Sequence, residues 1–297
     1  MPFSFRRLSK SHVIALSFVL ISALTALGLG ARRWGANPRE AKPVVANTPQ
    51  VKNKVKPLGK GYLQRKGIWP QLRPLLDAHG DRWEKPGQER LILMGTMESP
   101  ARAGKIPVQL ILEFPDKARL EKQIDGKQQV TIFDGKRKFK LGEALSPEEA
   151  DELESLVLDS ADHFLAGHMQ GFALRHLGTR FRLDDGSAAN YKGPYYDIYQ
   201  MTDQLPQENE EFLPQNKRFY VNSDTQLLER ISYQLTRNGR PVDVLVQYAG
   251  WQKERGQQIH RTITRTENGK STLEFTINAI RLNPRADDGI FTKPISQ

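Results

Sequence analysis

Residues 146–167 read SPEEADELESLVLDSADHFLAG, and this stretch decides the fold. Ser146, Pro147 and Glu149 form a capping box with proline at the first helical position, which satisfies the free N–H groups of a helix start. Ala150, Leu153, Leu156, Val157, Ala161, Phe164 and Leu165 then recur at three- and four-residue spacing, and Gly167 is the expected stop. The opposite side carries Glu152, Glu154, Asp159 and Asp162. A helix with one apolar face has to lie on an apolar surface.

Both flanks supply such a surface. Upstream, Val108, Leu110, Leu112 and Phe114 alternate with Gln109, Ile111 and Glu113, which puts the first four on one face of a strand. Further strands are predicted over 90–98, 118–124 and 129–133, with a hairpin turn at Asp134 and Gly135. Downstream, strands are predicted over 172–183, 195–203, 218–222, 227–237, 241–251, 259–266 and 271–283. Their turns include 184–186, Asn238 with Gly239, and Asn268 with Gly269. A short helix is expected over 69–78, burying Leu72, Leu75 and Leu76 and ending at Gly80. Strands joined by short turns make an antiparallel sheet, and the absence of βαβ alternation excludes a parallel nucleotide-binding fold. The expected class is α+β, mainly antiparallel β: a curved sheet with the 146–167 helix as its lid.

The chain has 297 residues, no cysteine and a net charge of +10. Without cysteine there is no disulfide scaffold, thiolate metal site or cysteine nucleophile. Residues 1–60 hold eleven Lys/Arg and one acid, which leaves 33 basic and 33 acidic residues in 61–297. The body is neutral, so the basic total is no sign of nucleic-acid binding. Residues 1–10 carry three basic side chains and residues 13–31 are uncharged and largely apolar, the pattern of an export signal. A leader cleaved after Gly28 or Ala31 and an uncleaved anchor both fit a 19-residue run. Either way the remainder leaves the cytoplasm for the periplasm. Residues 34–60, with four prolines and six Lys/Arg, read as a tether. The domain plan is therefore 1–33 leader or anchor, 34–60 basic linker and 61–297 folded domain, with membrane contact through the N-terminal segment if it is uncleaved.

Motifs for chemistry are sparse. His12, His79, His163, His168, His176 and His260 show no metal-ligand spacing and read as surface or helix-end residues. The pairs Asp184/Asp185 and Asp287/Asp288 stand beside glycines, as turn residues do. Lys136, Lys138 and Lys140 alternate with Arg137 and Phe139, as on a solvated strand face. There is no nucleophile elbow and no phosphate loop. No enzyme activity, cofactor or metal is expected. What remains is apolar geometry, and a lidded concavity suits acyl chains, whose burial yields about 0.8 kcal/mol per CH₂. Val108, Leu110, Leu112 and Phe114 on the sheet, with Leu153, Val157 and Phe164 on the lid, are the candidate cavity lining.

The order of elements carries a resemblance. It runs from the first helix through 94–100 (MGTMESP), Phe114 with the following Pro115 and 132–136 (IFDGK) to the capped helix, then to 276–283 (TINAIRLN) and 287–291 (DDGIF). Over residues 65–294 the chain resembles the periplasmic lipoprotein-carrier (LolA/LolB-like) superfamily of outer-membrane lipoprotein-sorting proteins. That resemblance implies an unclosed antiparallel β-barrel, helices plugging its open side, and a cavity for the acyl chains of lipoproteins or lipids. Two positions depart from the pattern: Phe114 stands where the carrier has a basic residue, and His260 where many relatives have proline. The reading is a periplasmic binder or carrier of lipidated or other hydrophobic ligands. The alternative is an envelope sensor or assembly module that binds protein partners through the same fold.

Overall fold

The computed structural model describes residues 69–79, 90–100, 102–114, 117–135, 137–183, 191–206, 212–237, 239–284 and 288–291. The leader, the tether, the turn at 184–186, Gly80, Lys136, Asn238 and Asp287 lie outside the described residues. The chain divides into Met1–Lys54 and Val55–Gln297, and every described residue belongs to the second unit.

A 3₁₀ turn at Pro70–Leu72 runs into α1 (Arg73–His79), where both prolines sit in first-turn positions that need no N–H. Five strands follow: β1 (Arg90–Ser99), β2 (Arg102–Glu113), β3 (Lys117–Ile124), β4 (Lys127–Asp134) and β5 (Lys138–Lys140). Next come α2 (Pro147–Leu158) and α3 (Ala161–Gln170). The second half holds β6 (Leu174–Phe181), β7 (Tyr196–Pro206), β8 (Phe212–Asn222), β9 (Leu228–Arg237) and β10 (Arg240–Ala249). A small hairpin, β11 (Gln252–Glu254) with β12 (Gln257–Ile259), precedes β13 (Thr262–Glu267) and β14 (Lys270–Leu282), and a 3₁₀ turn closes the chain at Asp288–Phe291.

Twelve of these strands make one sheet in the order β5-β4-β3-β2-β1-β14-β13-β10-β9-β8-β7-β6. The pairs are antiparallel, and the edges β5 and β6 are not bonded to each other, so the barrel is unclosed. The chain enters mid-sheet at β1, walks out to one edge, and crosses to the other through α2 and α3. It then walks back until β14 pairs with β1. A connection between opposite edges has to cross a face, and this places the helix pair over the concavity.

Strand alternation decides what lies beneath the helices. Leu91, Leu93, Val108, Leu110, Leu120 and Phe133 face inward from the first half, and Phe219, Ile231, Val246 and Phe275 from the second. They share one core with Leu153, Leu156, Val157 and Phe164 of α2 and α3. The outer face is partly covered as well. Ile92, Ile111, Val130 and Ile132 pack with Phe291 of the final 3₁₀ turn, and Arg119 donates to the Ile290 carbonyl at 3.0 Å. Ile111 therefore has an apolar partner on the face opposite Leu110.

Three expectations change here. The single lid helix is two: Ser160 caps α3 by accepting from the His163 N–H at 3.0 Å and donates to the Val157 carbonyl at 2.7 Å, which breaks the helix. Gly167 lies inside α3 rather than ending it, because a Cβ there would meet Met201 Sδ and Phe172 Cδ2 at 2.7 Å. The stop is Gly171, at φ 82°. Finally, Lys138 and Lys140 do not form a free solvated face. Lys138 pairs with Glu154 at 2.7 Å and Lys140 with Glu149 at 2.9 Å, while Lys122 of β3 pairs with Glu152. The acidic side of α2 is thus clamped to the basic side of β3 and β5.

Candidate functional site

Beneath the helix pair lies a recess, and half of its lining residues are leucine or isoleucine. Leu91, Leu93, Leu110 and Leu112 come from β1 and β2, Leu156 from α2, and Ile259 and Ile263 from the other half. Its remaining lining is more polar: His79, Asp162, Tyr248, Trp251 and His260 are among those residues. The aromatic rings touch, with Trp251 5.6 Å from His79 and 5.3 Å from His260, and Tyr248 4.8 Å from His260. Free volume is about 30 Å³, room for one or two water molecules.

Of the seven residues proposed as cavity lining, Leu110 and Leu112 border this recess. Val108, Leu153, Val157 and Phe164 are buried in the surrounding core, and Phe114 packs against it partly buried. The structure places Leu156 at the recess instead of its helix neighbours Leu153 and Val157. Tyr248, Trp251, His79 and His260 are the residues that sequence reasoning passed over. For Tyr248 a signal existed, since it continues the inward series Val242, Val244, Val246 of β10.

A second constellation holds the helix junction to the sheet. Lys217 of β8 is 2% exposed, and its Nζ lies 2.9 Å from Asp159 Oδ1, 3.0 Å from Asp203 Oδ2 and 3.3 Å from the Leu158 carbonyl. His163 Nε2 is 2.8 Å from Asp203 Oδ1, and Tyr233 donates its hydroxyl to Asp159 Oδ2 at 2.7 Å. His163, in the first turn of α3, is thus a helix-end histidine that is buried and paired. His79 is the last residue of α1 and is buried as well, and His168 stands in the last turn of α3, where it accepts from the Trp69 N–H at 3.2 Å.

Burial opposes ionisation of Asp203, but the neighbouring charges of His163 and Lys217 outweigh it and hold the carboxyl below the usual carboxylate range. Burial likewise opposes the Lys217 charge, and Asp159 and Asp203 outweigh it, so its pKa is raised. A carboxyl with a depressed folded pKa contributes stability that is present above the unfolded value, near 4, and lost as pH falls below it. For Lys217 the contribution is full below about 10.5 and fades only above that. Urea midpoints should thus fall on acidification below about pH 4. Asp203→Asn should flatten that slope by up to one proton's worth, about 1.4 kcal/mol per pH unit. Parallel wild-type and variant profiles would exclude this role.

The fold is remotely similar to those of several solved structures. A LolA superfamily protein from Nitrosomonas europaea aligns over 76% of this chain and 99% of its own, at 12% identity and a TM-score of 0.48. A domain from Vibrio parahaemolyticus described as an outer membrane lipoprotein-sorting protein aligns over 75% and 97%, at 11% and 0.44. A DUF1329 family protein from Desulfovibrio piger aligns over 76% and 96%, at 10% and 0.45. No protein-family model matches the sequence, and no curated protein does. Among the described residues, no helix is long and apolar enough to cross a membrane.

Proposed function

We propose that the protein is a periplasmic, non-enzymatic binder or carrier of hydrophobic ligands bearing acyl chains. In this reading residues 1–33 export or anchor it, residues 34–60 tether it, and residues 61–297 hold the ligand. The observation that carries the reading is the leucine-lined recess on the concave face, roofed by a helix pair whose junction is held by ion pairs. Apolar walls reward each buried CH₂ by about 0.8 kcal/mol and demand no further polar constellation. With about 30 Å³ free, the recess is too small for an acyl chain as it stands, and a chain enters as the roof lifts. A roof held partly by charges opens at lower cost than one sealed by apolar packing alone, because water can solvate the exposed charges.

Native mass spectrometry of the exported protein, with lipids extracted from the same sample, tests this. The expected result is a stoichiometric acylated adduct, which Leu112→Trp reduces about tenfold by filling the recess. Leu112 is the better probe because it is only partly buried, whereas Leu110 is 0% exposed and Leu110→Glu would bury an unpaired carboxylate and unfold the sheet. A mass that stays free of adduct after incubation with lipid and lipoprotein overturns the reading. It would favour the alternative of a protein-binding envelope module, for which edge strand β6 has the relevant surface: Leu177, Phe181 and nearby Leu183 are 43, 42 and 40% exposed.

A further inference from the structure

Two hydrogen-bond donors at the recess have no partner among the described residues: the Tyr248 hydroxyl and the Trp251 indole N–H. Both atoms are buried and both side chains line the recess, and Tyr248 as a whole is 6% exposed. A buried donor left without an acceptor costs on the order of 1–3 kcal/mol, so two of them at one recess call for an explanation. The phenol stays protonated, since burial and the charge of Asp159 push its pKa well above the ordinary value. Tyr248 and Trp251 therefore present an O–H and an N–H beside leucine side chains, where a ligand oxygen would satisfy them.

The charge balance around them says which oxygen. Among the described residues, His79, Asp162 and His260 are the titratable groups that line the recess beside Tyr248, and no lysine or arginine lines it. A carboxylate or phosphate would be desolvated here among leucine side chains, next to the acidic side chain of Asp162. A neutral acceptor meets no such penalty. We infer that Tyr248 and Trp251 form a polar anchor for the neutral carbonyl of an esterified or amide-linked acyl chain, and that the recess discriminates against free fatty acids. This rests on the ligand-binding reading above and adds to it the chemical state of the chain's head.

Isothermal titration of the full exported protein at pH 7.5 with two probes tests the inference: 1-monododecanoylglycerol, which carries an ester, and dodecanoate, which carries a carboxylate. The ester should bind at least about tenfold more tightly. Tyr248→Phe and Trp251→Phe should each weaken ester binding about three- to tenfold and leave dodecanoate within about twofold. Tyr248→Phe removes a hydroxyl that bonds to no described residue, so its Tm should be unchanged or raised, which keeps a loss of binding distinct from a loss of fold. Equal affinity for the two probes, or ester binding untouched in both variants, overturns the anchor and leaves the donors to water alone. If neither probe binds the wild type, the ligand-binding reading itself falls.

Discussion

Lys217→Met should destabilise the fold by about 3–5 kcal/mol in urea denaturation, against 1 kcal/mol or less for an exposed pair such as Arg180 with Asp224. The lysine sits between two carboxylates that are themselves buried, Asp159 at 2% and Asp203 at 0% exposure. Removing the cation leaves two negative charges out of water with little to offset them. Neutralising them together, as Lys217→Met with Asp159→Asn and Asp203→Asn, should recover part of the loss, because the penalty comes mainly from unpaired charge. The damage should centre on the junction of α2 and α3, where Asp159 also receives the Tyr233 hydroxyl. A single variant within about 1 kcal/mol of wild type would show that water reaches the cluster and that the junction is not held this way.

Gly95→Ala is the second large effect expected. A Cβ at this position would lie 1.9 Å from the Thr276 carbonyl oxygen and 2.9 Å from its carbon. Both atoms are backbone of β14, so no side-chain rotation relieves the overlap. The site is also a bulge, where the register between β1 and β14 shifts between Met94 and Gly95. This pair is the seam that joins the first half of the sheet to the last, and separating it disturbs both. We expect a loss of about 4 kcal/mol or failure to accumulate folded protein, read by circular dichroism and urea unfolding. Gly167→Ala is the matching contrast. Its neighbours are the side chains of Met201 and Phe172, which can shift, and alanine favours the helix by about 1 kcal/mol. A net change within about 1 kcal/mol is expected there. Equal tolerance at both positions would mean that the β1–β14 seam can part without consequence.

The candidate site shows where local pattern stops being informative. Leu110 and Leu112 were legible because alternation along one strand assigns a face. Tyr248, Trp251, His79 and His260 meet at the recess from α1, β10 and the residues on either side of the small β11–β12 hairpin. Alternation along β10 gives Tyr248 its inward face, but no local signal brings the other three to it. The partners of the ion cluster are just as scattered, with His163 and Asp203 forty residues apart. The strand predicted from Arg218 begins at Phe212, and it carries Lys217 on the inward parity, where two aspartates from elsewhere in the chain pair with it.

Most elements and their apolar faces follow from local pattern. Period-two alternation, the Asp134–Gly135 and Asn268–Gly269 turns and the capping box at Ser146 each act within a few residues, so they survive without knowledge of the fold. Which polar groups could be buried depended on contacts between distant parts of the chain. Asp159 and Ser160 split the lid helix at the point where Lys217 waits beneath it, and the lysines of β3 and β5 turned toward the acids of α2. A charge is tolerated in a core only when its counter-charge arrives from elsewhere in the chain, and that arrival is a property of topology.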